Sequence, residues 1–222
     1  MKILDNITLL TCTFNNNVLT RAMIMSCFKQ LEKEIPVVII DNGTTEFCTK
    51  EMKETFTVID NTNHKILKDY AQTSKNHSAA VDYALKNLIK TKYVLLCDYD
   101  ILFKKEVNNL FAFLDTFDNI DCLGEVGWDV TPPDRLFPYF CIINVDKFKN
   151  EKLSYFKENS FKLNSRKNCI YSDTGCTFYN DIKDTWDIKY IHLKNFIVHL
   201  KAGSDKKNIT MQFLKTYKDL IV

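Results

Sequence analysis

Three observations predict an α/β fold built on a largely parallel sheet. Short apolar runs of strand length recur at Ile7–Thr13, Val37–Ile40 and Tyr93–Cys97. Longer stretches with helical spacing separate them, Val18–Leu31 and Asn76–Lys90. Two of the runs stop on aspartates, Asp41 and Asp98, at the carboxyl ends of strands where open α/β sheets bind their ligands.

Each element follows from local pattern. Ile7–Thr13 is a buried first strand, and Asn15-Asn16-Asn17 is the loop after it. Val18–Leu31 carries Leu19, Ala22, Met23, Met25 and Phe28 near helical spacing, and Pro36 closes the segment. Val37–Ile40 is the second strand and Phe56–Ile59 a weaker third. Asn76–Lys90 forms a helix on the stripe Ala80, Val81, Ala84, Leu85 and Leu88. Tyr93–Cys97 is the next strand, Lys105–Phe117 an amphipathic helix, and Cys122–Trp128 a further strand. Thr131–Asp134 is a turn-rich break. Beyond it come a strand at Phe140–Val145 and a polar, irregular stretch at Lys149–Lys167. A short helix opens Asp173–Asp181, with short strands at Tyr190-Ile191 and Phe196–Leu200 and a closing helix at Asn208–Leu220. The βαβ rhythm implies right-handed crossovers. At 222 residues, with no repeat and no long linker, the chain is expected to form one domain.

Composition narrows the class. The chain is 45% hydrophobic and 26% charged, as soluble globular proteins are. A net charge of +2 gives no strong nucleic-acid or anionic-membrane signal. No stretch has the apolar length of a membrane span, and Asp5 and Asn6 interrupt the N-terminal apolar run, so neither a transmembrane segment nor a signal peptide is expected. The eight cysteines are scattered without a C-x-x-C pair, which argues against zinc and for free thiols in a reducing cytoplasm.

The chemistry centres on Asp98-Tyr99-Asp100. In extended chain, residues two apart point the same way, so both carboxylates face one point beyond the strand. Facing carboxylates repel unless a cation lies between them. Hard divalent ions such as Mn²⁺ or Mg²⁺ take carboxylates together with substrate phosphates. An isolated D-x-D is otherwise a solvated turn.

Further motifs stand in order around this pair. They are Thr11-Cys12-Thr13-Phe14-Asn15, Ile39-Ile40-Asp41-Asn42-Gly43-Thr44, Asn76-His77-Ser78-Ala79-Ala80-Val81-Asp82, Asp173-Thr174-Gly175 and His199. From Ile7 to about Ser204 the chain resembles the nucleotide-sugar-dependent glycosyltransferases of GT-A fold, most nearly family 2. It departs from their pattern at Ser78, where a glycine is usual, and at the lone Asp173, where a Glu-Asp pair is usual.

The resemblance implies a single GT-A domain, with residues 1–103 as the nucleotide-sugar half and 104–222 as the acceptor and catalytic half. It implies a donor that is a nucleoside diphosphate sugar, UDP-linked, an acceptor hydroxyl on a glycan, lipid-linked molecule or protein, and inversion. Asp98, Asp100 and His199 would hold the metal, Asp100 directly, with His192 the alternative to His199. Thr11, Thr13, Asn15, Asp41, His77, Asp82 and Tyr99 would contact the donor, Asp41 through the base. Asp173 would be the general base for the acceptor hydroxyl. Trp128, Arg135, Tyr139 and Thr174 would bind the acceptor, an aromatic platform beside a scarce arginine suiting a sugar or an anion.

Each residue also has a plainer reading. Asp41 before Asn-Gly is a good turn former, and Asp173 a helix N-cap. His77 lies in register with Val81 and Ala84 and would be semi-buried. Asp82 lies off the apolar stripe, and His199 ends an apolar run. Rival functions are a sugar nucleotidyltransferase and a non-catalytic nucleotide-sugar-binding module of the same fold. The former needs a Gly- and Lys/Arg-rich phosphate loop, which Thr13–Asn17 lacks. A phosphatase would carry its Asp-x-Asp after the first strand.

Overall fold

The computed structural model describes residues 3–43, 46–61, 73–127, 135–155, 175–200 and 207–222. In chain order the elements are β1 (Ile7–Thr13), α1 (Asn17–Leu31), β2 (Val37–Asp41), α2 (Lys50–Thr55), β3 (Thr57–Asp60), α3 (Thr73–Asn87), β4 (Tyr93–Asp98) and β5 (Ile101–Phe103). There follow α4 (Glu106–Leu114), β6 (Cys122–Gly127), β7 (Arg135–Asn144), α5 (Val145–Asn150), α6 (Cys176–Ile182), β8 (Ile188–Tyr190), β9 (Ile197–His199) and α7 (Lys207–Thr216).

Seven strands form one sheet in the order β3-β2-β1-β4-β7-β6-β8. Only β7 runs against the others, pairing antiparallel with β4 and β6. The strands read as continuous apolar runs because helices cover both faces. Side chains alternate between two cores, as a period of two requires. Leu9, Ile39 and Leu95 face α1 and α4, through Met23, Cys27, Leu110 and Phe111. Leu10, Ile40 and Leu96 face α3 and α6, through Val81, Ala84, Phe178 and Ile182. This arrangement is the expected α/β architecture.

Caps and breaks set the boundaries. The Asn16 side chain accepts the Leu19 N–H at 3.1 Å to start α1. Glu32 in the left-handed region, at φ 52°, ends it. Beyond Asp98 the chain turns and β5 leaves the main sheet, pairing antiparallel with β9 in a small second sheet. The Ser26 hydroxyl of α1 accepts the Phe103 N–H at 3.1 Å and holds β5 in place. Among the described residues no helix is long and apolar enough to cross a membrane.

Several elements differ from expectation. α2, started by the Thr49 side chain accepting the Met52 N–H, was not foreseen, because six residues show no helical period. α5 begins at Val145, where a strand was expected to end; the Asn144 side chain caps it by accepting the Lys147 N–H at 3.0 Å. β7 starts at Arg135 rather than Phe140, since Pro138 disguises a strand. β8 lies two residues earlier than expected. The turn-rich break at Thr131–Asp134 and most of the irregular stretch to Lys167 lie outside the described residues.

Candidate active site

β4 ends at Asp98, and the next residues turn towards β5, so Asp98 and Asp100 stand together at the sheet's carboxyl edge. The β5–β9 ladder then delivers a histidine. Ile101 is registered with His199, and the Leu200 N–H donates to the Asp100 carbonyl at 3.0 Å. A ligand atom from each of Asp98, Asp100 and His199 lies within 4.8 Å of the other two. His199 Nε2 is 3.3 Å from Asp100 Oδ1, and His77 Nε2 is 3.5 Å from Asp98 Oδ1.

Burial raises the Asp98 pKa above the ordinary carboxylate value; His77 opposes the shift, Asp100 adds to it, and His199 and Arg135 oppose it. Two carboxylates and one imidazole, brought together by separate elements, are a donor set that fits a divalent cation such as Mn²⁺ or Mg²⁺.

The acids lie in a cleft of about 380 Å³. At one end, next to β1 and β2, it is lined by Cys12, Thr13, Phe14 and Asn42. Asn76, His77, Asp98, Tyr99 and Asp100 line the middle, and Arg135, Pro138, Tyr139 and His199 the other end. A stacked series runs along that second end. The Arg135 guanidinium lies 5.5 Å from the Phe137 ring centre, Phe137 stacks on Tyr139 at 4.9 Å, and Tyr139 stacks on His199 at 4.5 Å. The Tyr139 hydroxyl pKa is raised to about 12 by burial, then by the Glu125 charge.

Of the residues singled out from sequence, Thr13, His77, Asp98, Tyr99, Asp100, Arg135, Tyr139 and His199 line this cleft. Four others stand elsewhere. Thr11 is fully buried within β1. Asn15, at φ 50°, accepts the Glu46 N–H at 3.1 Å and joins two loops. Asp41 is 1% exposed. Its two carboxylate oxygens accept the Gly43 N–H at 2.9 Å and the Cys48 N–H at 2.6 Å, so it holds the turn after β2. Asp82 accepts from the Ser154 hydroxyl at 2.9 Å and the Tyr155 N–H at 2.6 Å, and Lys86 Nζ lies 2.6 Å from it. It anchors the chain after α5 to α3.

His192 is 79% exposed and stands beside Glu125, away from the two aspartates. Trp128, Asp173 and Thr174 lie outside the described residues. Sequence reasoning passed over Cys12, Phe14, Asn42, Asn76 and Pro138. Phe14, Asn42 and Asn76 stand inside the quoted motifs beside residues that were chosen; Pro138 has no sequence signal.

The model of the family described as Glycosyl transferase family 2 matches residues 8–178. No curated protein matches the chain. Among solved structures, the chain is similar to the mannosyltransferase PcManGT from Pyrobaculum calidifontis, solved in complex with GDP-Man and Mn²⁺, at 12% identity and TM-score 0.54, covering 84% of this chain and 54% of that one. It is also similar to the apo-form glycosyltransferase GlyE of Streptococcus pneumoniae TIGR4, at 9% identity and TM-score 0.55, covering 95% of this chain and 51% of that one. At these identities the likeness is one of fold. The chain spans about half the length of the structures it matches.

Proposed function

The chain belongs to glycosyl transferase family 2, and on that premise we propose that it transfers a sugar from a UDP-linked donor to an acceptor hydroxyl, with inversion. The observation that carries this reading is the meeting of Asp98, Asp100 and His199 in a cleft at the carboxyl edge of the sheet. The three would hold Mn²⁺ or Mg²⁺, as the PcManGT complex with GDP-Man and Mn²⁺ also suggests. Such an ion, when bound, supplies positive charge to the diphosphate that leaves.

The chain's own residues divide the remaining work. Thr13, Tyr99 and His77 line the cleft beside the acids and contact the donor. Arg135 and Tyr139 line the far end, where the acceptor enters, and Trp128 and Thr174 would bind the acceptor with them. The acceptor oxygen forms a bond to the anomeric carbon as the bond from that carbon to the diphosphate oxygen breaks, its electron pair leaving with the diphosphate. Asp173 takes the proton of the attacking hydroxyl. Residues 1–103 carry the donor half and 104–222 the acceptor half. The acceptor is a hydroxyl on a glycan, a lipid-linked molecule or a protein, and the scattered cysteines suit a cytoplasmic location.

Two variants test this. Asp100→Ala is expected to abolish Mn²⁺-dependent UDP binding in calorimetry while the fold persists; binding equal to the parent's would refute the metal assignment. Asp173→Asn is expected to bind donor normally yet turn over roughly 10²–10⁴-fold more slowly. Near-parental turnover would remove Asp173 from the role of base; it is not the cap of α6, whose N-cap is Gly175.

A further inference from the structure

We propose that the unpaired part of β7 is a clamp on the metal-binding histidine, in which Tyr139 is the positioning residue that sets the angle of the His199 imidazole. The inference rests on the reading of Asp98, Asp100 and His199 as a cation site.

β7 does not pair along its whole length. Leu136 is registered with Val126 and Cys141 with Gly124, so Phe137, Pro138, Tyr139 and Phe140 stand opposite Glu125 alone. The pairing of β7 with β4 also begins only at Cys141. Four residues against one make the strand bow, and an irregularity of this kind re-aims side chains. Pro138, which has no N–H to give a ladder, suits the bow. The bow is turned to the small β5–β9 sheet. Phe140 is fully buried, with its ring centre 5.9 Å from that of Phe103 in β5. Tyr139 stacks on His199 in β9, with 4.5 Å between ring centres and 30° between the planes.

His199 needs such a neighbour. The β5–β9 ladder and the hydrogen bond from the Leu200 N–H to the Asp100 carbonyl fix its backbone, not its ring. Its side chain is 22% exposed, so core packing does not enclose it. An imidazole nitrogen directs its lone pair in the plane of the ring. The tilt of the ring therefore decides whether that lone pair meets an ion held by the two aspartates. The last torsion of a histidine has broad wells, so a neighbour must choose the tilt. In metal sites that neighbour is usually a hydrogen-bond partner of the second nitrogen. What meets the ring here is Tyr139.

Tyr139 is held in turn. Phe137 lies two residues earlier, on the same side of the strand, and stacks on it at 4.9 Å and 21°. The Arg135 guanidinium covers Phe137 at 5.5 Å. The row runs from the paired end of β7 to the histidine, so the imidazole is set before the ion arrives and little ordering is left to binding. Tyr139 thus serves the cation as well as lining the far end of the cleft.

The test is a calorimetric Mn²⁺ titration, with UDP and without any acceptor, of the parent, Tyr139→Leu, Tyr139→Phe and Phe137→Leu. Tyr139→Leu is expected to weaken Mn²⁺ binding by about 10-fold or more, the loss typical of a group that orients a metal ligand. Tyr139→Phe keeps the ring and should bind as the parent does. Phe137→Leu removes the support of the stack and should lie between the two. A ring that serves only the acceptor would leave all four alike, because no acceptor is present. In the metal-free protein, the His199 ring protons should resonate further upfield in the parent and Tyr139→Phe than in Tyr139→Leu; equal positions in all three contradict the stack. Parental affinity in Tyr139→Leu overturns the proposal. So does a Tyr139→Phe as weak as Tyr139→Leu, which would assign the effect to the hydroxyl. If Tyr139→Leu does not fold, as its melting curve would show, Phe137→Leu decides, and parental affinity there overturns the proposal. These outcomes leave the cation site itself intact, whereas a parent that binds no Mn²⁺ overturns both.

Discussion

At the scale of single residues, Asp98 stands where its own charge is disfavoured. Burial lifts its pKa first, and Asp100 adds to the lift against the opposing His77. A carboxylate whose folded pKa lies above its unfolded value holds its proton longer in the folded protein. Its contribution to stability is fully present below the unfolded carboxylate pKa and is lost as pH rises through the raised folded pKa. The metal-free protein should therefore lose stability as pH rises over that window. Asp98→Asn should flatten the loss and melt higher than the parent at neutral pH, while binding Mn²⁺ more weakly. Melting curves from pH 4 to pH 8 in chelator check this, and parallel curves for parent and variant would contradict it. The acids themselves were legible in the sequence as a pair at a strand end, but the chain is not extended through them: it turns at Tyr99 and Asp100, and that turn brings the carboxylates together. Asp41 and Asn42 were not legible. Whether a strand-end carboxylate faces a ligand or closes a turn depends on how the following loop folds back, here to Cys48, and no local pattern records that.

At the scale of elements, the placement of β9 depends on a residue far away in the chain. A bulge between Gly124 and Val126 interrupts the β6–β7 register at Glu125. The Glu125 carboxylate accepts the Leu193 N–H at 2.8 Å and so caps the turn at Leu193–Asn195 that leads into β9. Because β9 carries His199, Glu125→Ala is expected to weaken Mn²⁺ binding by about 10-fold. Glu125→Gln, which can still accept that N–H, should restore most of it. Equal Mn²⁺ affinity in parent and Glu125→Ala would show that β9 is held without this cap. The long apolar strands β1, β2 and β4 and the helices α1 and α3 were readable because their hydrophobic patterns run for several residues. β5 is three residues long and α2 six, shorter than a pattern needs to declare itself. Their existence is decided by tertiary partners, β9 for the first and the Thr49 cap with buried Met52 for the second.

At the scale of the molecule, the cleft draws on both ends of the chain. Thr13, Asn42, His77, Asp98 and Asp100 come from before residue 104, and Arg135, Tyr139 and His199 from after it. A ligand that bridges them should stabilise the whole fold. With free UDP at 100-fold its Kd in the presence of Mn²⁺, linkage gives about 2.7 kcal/mol. That corresponds to a rise of about 5–10 °C in melting temperature for a chain of this size. UDP with chelator should give a much smaller rise, and equal shifts with and without Mn²⁺ would rule out a metal-bridged donor. The anchor at Asp82 has its own consequence at this scale. It pins Ser154 and Tyr155 to α3. The Tyr155 hydroxyl in turn lies 3.3 Å from where a Cβ at Gly175 would stand, and Gly175, at φ 87°, packs against the Leu136 carbonyl. Tyr155 and Gly175 thus stand side by side, the first held by α3 and the second by β7. Loop closure grows only slowly with length, by about 0.6 kcal/mol per doubling. A change in the number of residues joining Tyr155 to Gly175 is therefore expected to cost little and to leave the register of every described strand where it is.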